Sequence, residues 1–285
     1  MKLYNLAGYA IVALYVLGCA YFAPAHLGVG AAVGLGAAYF LFCWFLSGLY
    51  LADVLHLGVA HRSLDYRPWF VKAVTVTNNL FGLYVDPTSW VYRHRLHHKY
   101  SDHPGDPNKL TTDGFWRTMY LCLIPYRYTE QLGDEKILHA WSMRVVSSMA
   151  FAVFSQVFSF SLLWLLARDL RLTIVMWVGM RVFALWVNMI QNYFTHSPRY
   201  GHRRYEDAHD HAMNIDEWFP VTITFSACLQ NNHHHYPGLV RLTHDDAAYD
   251  FGYSTVKVMH RLGLAAPTAK GIVIPDDVRL TRLLG

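Results

Sequence analysis

Residues 92–108 read YRHRLHHKYSDHPGDPN, and the rest of the chain is organised around them. His94, His97 and His98 stand as HxxHH. On a helix, His97 and His98 fall about 300° and about 400° round from His94, so the three imidazoles share one face. Neutral imidazole is the commonest protein metal ligand. The plainer alternative is a solvated basic loop, because Arg93, Arg95 and Lys99 surround the histidines. The remaining sequence decides against that alternative.

Of 285 residues, 54% are hydrophobic and only 15% charged. Soluble domains carry about 25% charged residues, so the chain belongs to an oilier class. Cys19, Cys43, Cys122 and Cys228 lie far apart without a CxxC pair, which argues against a zinc ribbon, a redox pair or a disulfide framework. The net charge of +4 is small and scattered, so no nucleic acid is expected as a partner. The anomaly is the histidine count of 17.

Apolar runs from Asn5 to Ala23 and from Leu27 to Leu51 flank Pro24. A cleaved signal peptide competes for the first, with Val16-Leu17-Gly18-Cys19 resembling a lipoprotein cleavage site. The second run, free of charge, favours a helical hairpin instead, since each run approaches the ~20 residues a bilayer requires. A second hairpin follows over Val145 to Ala167 and Leu172 to Phe194, joined tightly through Arg168, Asp169 and Arg171. Between the hairpins, Phe70 to Val85 and Met119 to Pro125 are expected as helices in the membrane interface. An amphipathic helix is expected from Asp250 to Leu262. The expected fold is an all-α integral membrane protein, a single domain over 1–285. Its four transmembrane helices lie at about 5–23, 28–51, 145–167 and 172–194, with a helical cap over about 56–144 and 196–285 holding a histidine-rich di-metal site.

Charge sets the orientation. Of 24 Lys and Arg, eleven lie between Arg62 and Arg144 and nine follow His196, so the positive-inside rule puts both polar segments on the cytoplasmic side. The short chain without an extended N-terminal tail favours a bacterial inner membrane over the endoplasmic reticulum.

Three further pieces then join the opening stretch on that side. His56 and His61 form HxxxxH where the second span ends, Asn192 and His196 form NxxxH where the fourth ends, and Gln230, His233 and His234 lie in QNNHHHYP. Each alone has a bland reading, as an interfacial histidine pair, a polar helix end or a surface tract. Their conjunction is specific. Eight histidines exceed the need of one tetrahedral zinc and suit two metals with open positions; iron, copper or zinc are all compatible with such a donor set. A water-excluding site beside lipid favours oxygen activation over hydrolysis.

These boxes resemble those of the membrane-bound fatty acid desaturase family, nearest its acyl Δ9-type members. The resemblance runs from about His56 to Leu264 and more loosely over the first hairpin. His94-Arg95-Leu96-His97-His98-Lys99-Tyr100-Ser101, with Asp106-Pro107, matches the second box of that family almost letter for letter. The resemblance implies two non-haem irons, molecular oxygen as co-substrate, and ligands at His56, His61, His94, His97, His98, His196, His233 and His234. Asn192 would meet one iron through water. The ninth histidine of the family falls here at Gln230, which still offers a side-chain oxygen, and Ser226-Ala227-Cys228-Leu229 before it also depart from the pattern. His235 is one place out of register, and a solvated loop is expected for His202, His209 and His211. Asp102, Asp106 and Glu217 are candidates for orienting imidazoles, although a solvated loop acid is the first expectation for each.

The implied substrate is a fatty acyl chain on CoA, acyl carrier protein or a lipid. His103-Pro104-Gly105-Asp106 looks like the start of a cytochrome b5 haem motif but lies inside the desaturase box, so electrons are expected from a separate donor of ferredoxin or cytochrome b5 type. The basic residues of the second box would dock that donor or face anionic lipid. Rival readings are a hydroxylase, epoxidase or acetylenase on the same scaffold, a non-catalytic metal- or lipid-binding relative, and a histidine-rich metal transporter. The transporter ranks last, because its ligands belong inside the spans.

Overall fold

The computed structural model describes residues 2–107, 110–124, 136–206 and 211–284. Asn108, Pro125 and His209 therefore lie outside the described residues. The chain opens with α1 (Leu3–Tyr21) and a long α2 (Gly28–Ala60) whose winding widens to π-helical over Leu49–Ala60. Strand β1 (Leu64–Tyr66) leads into α3 (Pro68–Phe81) and α4 (Pro87–Tyr100). Then come α5 (Leu110–Leu123), kinked at Gly114, the short α6 (Trp141–Val146), α7 (Met149–Ala167) and α8 (Leu170–Asn192). A single 3₁₀ turn (Phe194–His196) ends α8. The remainder holds α9 (Trp218–Ile223), α10 (Gln230–His235), α11 (Phe251–Arg261), β2 (Ala265–Pro267) and α12 (Ala269–Ile272).

Among the described residues, four helices are long and apolar enough to cross a bilayer: Leu3–Tyr21, Gly28–Ala60, Met149–Ala167 and Leu170–His196. α8 is their centre, packing against α1, α2, α5 and α7. Small residues let the backbones approach, as lipid-embedded packing demands. A Cβ on Gly36 of α2 would stand 2.6 Å from the Cys19 sulfur of α1. Outward faces carry exposed Leu14, Leu17, Val157 and Leu165, the apolar surface that lipid covers.

Local signals fix the helix starts. Ser148 caps α7 by accepting from Phe151 N, and Asp169 caps α8 by accepting from Leu172 N. Arg168 between them takes a left-handed φ of 49°, which closes the hairpin in two residues. Asp86 caps α4 through Thr88 N and Ser89 N, with Pro87 at the first helical position. The amphipathic segment expected from Asp250 to Leu262 is α11, with Asp250 as its cap. β1 and β2 pair antiparallel, Leu64 opposite Pro267, and tie the end of α2 to the last part of the chain. The ends of α2 and α8, together with α4 and α10, thus meet at one end of the bundle.

Candidate metal centre

HxxxxH places its two histidines about 140° apart on an ordinary α-helix. The π-helical winding of α2 removes that divergence. His61 N donates to His56 O, five residues back, at 3.0 Å, and the two rings stand 4.9 Å apart. α4 supplies His94, His97 and His98, and α10 supplies His233 and His234. Arg95 locks α4 onto α2 by donating to the carbonyls of Val59 and Ala60 at 2.7 and 3.0 Å, where the helix end leaves them in need of donors. Arg93 Nη1 likewise donates to Leu121 O. Two of the three cations of the second box therefore hold the scaffold together.

Five histidines converge in one group: His56, His61, His94, His98 and His233. Their ligand nitrogens all lie within 4.8 Å of one another. His56 and His98 each bring Nε2 to 2.9 Å from His233 Nε2, and His61 Nε2 stands 2.7 Å from His94 Nε2. Burial, then the charge of neighbouring imidazoles, pushes His61, His94, His98 and His233 well below the ordinary histidine value. Their rings are neutral, with one donor and one acceptor each. His233 Nε2 is approached by two other ring nitrogens at once, and the buried Nδ1 of His233 has no hydrogen-bond partner. A cation satisfies such a donor set where the rings alone do not.

A second group, His97, His196 and His234, adjoins the first; the rings of His98 and His234 are 4.4 Å apart. Here carboxylates set the rings. Asp106 Oδ2 accepts from His97 Nδ1 at 2.9 Å, and Asp102 Oδ2 accepts from His196 Nδ1 at 3.2 Å. An ionised carboxylate only accepts, so Nδ1 carries the proton and Nε2 the lone pair, the tautomer a metal needs. Burial raises the Asp102 carboxyl, but the bond from His196 and the charges of His196 and His97 outweigh it and hold the group below its ordinary value.

Both acids are enclosed, with side-chain exposure of 0%, so the alternative of solvated loop acids fails for them. The loop turns back on itself to place them. Asp102 adopts a φ of 62° and donates its backbone N to Asp106, while Gly105, at φ 109°, passes under the Tyr100 ring. Glu217 is placed elsewhere: its carboxylate accepts from Tyr4 at 2.8 and 2.9 Å and pairs with Lys2.

A cavity of about 480 Å³ opens beside the histidines and is lined by His56, His94, His97 and His196 together with Asn192 and Gln230. Asn192 donates to Asn188 O, and the buried Gln230 donates to Ala227 O, so each amide nitrogen is committed to its own backbone. His235 stacks on Tyr205 at 4.0 Å and belongs to neither group, nor do His202 and His211.

Other residues that build the site carry weaker sequence signals. Trp90, one turn before His94, stacks on its ring at 5.1 Å. Asn232 and Asn214 exchange hydrogen bonds, Asn232 also donates to Leu242 O, and Asn231 accepts from Arg204 N and Tyr205 N. These amides hold α10 in place. The run Asn231-Asn232 before the histidines was the available cue; the partner Asn214 had none.

With this geometry in hand, likeness to known proteins becomes informative. The sequence model of the family described as fatty acid desaturase matches residues 35–249. The chain is 27% identical over 246 residues to an sn-1 stearoyl-lipid 9-desaturase of Anabaena variabilis, covering 82% of this chain and 83% of the relative. It is 25% identical over 249 residues to Delta-9 acyl-lipid desaturase 1 of Arabidopsis thaliana, covering 85% and 77%. Against an acyl-CoA 5-desaturase of Anemone leveillei the identity is 25% over 238 residues, covering 80% and 68%. The relatives thus differ in the carbon and carrier their names give, while sharing the family. A match over most of the chain, on a bundle that gathers its histidines at one end, places this protein in the fatty acid desaturase family of oxidoreductases.

Proposed function

We propose that the chain is an oxygen-dependent desaturase that introduces a double bond into a fatty acyl chain, drawing two electrons from a separate donor protein. The observation that carries this reading is the junction of five and three histidines opening onto one cavity. His56, His61, His94, His98 and His233 would hold one iron, and His97, His196 and His234 the other. When bound, the iron pair supplies the oxygen activation that breaking an unactivated C–H bond requires. Asn192 and Gln230 sit on the cavity wall with side-chain oxygens to offer the group that has fewer nitrogens.

The chain's own residues do the placing. Leu51, Met180, Phe183 and Leu185 give the cavity an apolar wall along which an acyl chain lies with water excluded. Holding one C–H bond near the metals is worth more than any proton transfer, and no general base is required. Asp102 and Asp106 keep His196 and His97 in the metal-binding tautomer. The charge bias of the sequence orients this end of the bundle to the cytoplasm, within one domain over 1–285. There a ferredoxin or cytochrome b5 type donor has access, with Lys99 still exposed beside the second box.

The test is expression in a host with its own electron donors, followed by mass spectrometry of total fatty acids, with His97→Ala beside the wild type. A new double bond, lost in the variant, is the expected result, and its position gives the regiochemistry. An added oxygen atom would make the protein a hydroxylase or epoxidase on the same site. Bound iron without product and without oxygen consumption would make it a non-catalytic relative.

A further inference from the structure

The cavity does not stop at the histidines. It continues along α8 into the bundle, where Gln156 of α7 and Arg181 of α8 line it. Arg181 stands midway between Leu170 and Asn192, ~16 Å of helix rise from each. That is about half the thickness of a bilayer core, too deep for its side chain to reach either surface.

Its surroundings are polar but neutral. Nε and Nη2 donate to Gln156 Oε1 at 3.3 and 2.7 Å, and Nη1 donates to Trp177 O at 2.9 Å and to the Tyr39 hydroxyl at 3.5 Å. The guanidinium carbon lies 3.4 Å from the centroid of the Trp177 ring. Of five N–H groups, this leaves one on Nη2 with no acceptor among the described residues. No described carboxylate forms an ion pair with Arg181 either. Hydrogen bonds and a ring face hold the group in place without cancelling its charge. A lone cation in a membrane span is costly, and such residues mark the paths of polar ligands.

We propose that Arg181, held in place by Gln156 and Tyr39, forms a subsite for a carboxylate carried on an aliphatic chain. The rest of that chain would run up the cavity toward Asn192 and the histidines. Guanidinium matches carboxylate in shape and charge, and the remaining Nη2 hydrogen is the donor available to it. The proposal rests on the reading of the cavity as the acyl channel and specifies what that channel takes. The carboxylate has two possible sources: the head group of a free fatty acid, or the far end of a dicarboxylic chain whose other end is esterified.

Wild-type protein in nanodiscs, as purified, tests this through the fluorescence of the tryptophans, Trp177 among them, and through calorimetry. The probes are hexadecanoic acid, its methyl ester, hexadecanedioic acid monomethyl ester and the dimethyl ester. Each acid should bind roughly 10-fold to 100-fold more tightly than its full ester, the scale of a charge-assisted hydrogen bond. Arg181→Lys should keep the preference and Arg181→Met should abolish it. Equal tight binding of both acids assigns the head group of a free fatty acid; tight binding of the monoester alone assigns the far-end carboxylate.

Acids and esters binding alike in the wild type would overturn the subsite, as would a preference that survives in Arg181→Met. If Arg181→Met fails to fold, the wild-type comparison and Arg181→Lys decide. Product analysis on the same samples separates the two readings. Desaturation without an acid preference overturns the subsite alone. An acid preference without any double bond overturns the desaturase reading alone.

Discussion

The two histidine groups differ in what holds their rings. In the three-membered group, His97 and His196 lean on Asp106 and Asp102, so each ring has its tautomer set by an anion. In the five-membered group no imidazole bonds to a carboxylate among the described residues. Its rings are placed by the π-helical winding of α2, by the stack on Trp90 and by Arg95 pulling α4 against α2. The first arrangement is electrostatic and local, the second steric and distributed. A site with fewer nitrogens gains basicity from carboxylates, while a site with five nitrogens relies on number.

The largest effect should come from His233→Ala. Its Nε2 is the hub that both His56 and His98 approach at 2.9 Å, and the residue is fully buried. If the proposed function holds, desaturated product should fall below detection, and bound metal per chain should drop by about one, read by elemental analysis against the wild type. Unchanged metal content would show that the five-membered group tolerates the loss of its hub, and the contrast in number would collapse.

Asp106→Asn should sharpen the contrast. Asparagine keeps the volume but loses the charge and can present an amide donor to His97. Metal affinity at the three-membered group should fall roughly 10-fold to 100-fold while the five-membered group keeps its own. A metal titration should then resolve a weakened class of site beside an unchanged one. Equal weakening of both would mean that Asp106 acts by folding the 101–106 loop rather than through the His97 ring.

This contrast also marks how far the sequence could be read. The histidines were legible because each box is local and its residues sit at span ends, so four spans and eight histidines emerge from hydropathy and spacing alone. The two acids were visible, but they read first as solvated loop acids, which their enclosure corrects. Their enclosure depends on the left-handed turn at Asp102 and the passage of Gly105 beneath Tyr100, which no periodicity announces. The π-helical winding was likewise unreadable, although HxxxxH makes full sense only with it. Arg95 read as a cation for an electron donor or anionic lipid because its acceptors, Val59 and Ala60, lie 36 and 35 residues away. Glu217 was drawn toward the histidines by type alone, whereas its carboxylate is taken up by Tyr4 and Lys2 at the start of the chain.

Acidification should separate the groups by a different route. His61, His94, His98 and His233 have folded values well below the ordinary ~6.5, so below that pH the unfolded chain binds protons that the native chain refuses. Native stability is therefore fully present above pH ~6.5 and lost as pH falls below it, by up to about 1.4 kcal/mol per pH unit for each such group. Thermal unfolding of chelator-treated protein should show a Tm that declines steeply from pH ~6.5 downward, and bound metal should flatten the decline. A Tm indifferent to pH would mean that the folded rings take up protons as readily as the unfolded chain does, and that burial does not hold them neutral.

The smallest effect tests whether both groups hang on one scaffold. α4 carries His94 and His98 for the five-membered group and His97 for the three-membered one, and its start is held by Asp86. Asp86→Ala removes the side chain that accepts from Thr88 N and Ser89 N at 3.0 and 3.2 Å. Losing such a cap costs about 1 kcal/mol. The loss lies two turns from the nearest metal-facing ring, so it should lower Tm by a few degrees and weaken metal binding at both groups alike, with little change in product position. A shift confined to one group would show that α4 transmits strain unevenly along its length, and that the carboxylates of the three-membered group buffer it against movements of the helix that the five-membered group must absorb.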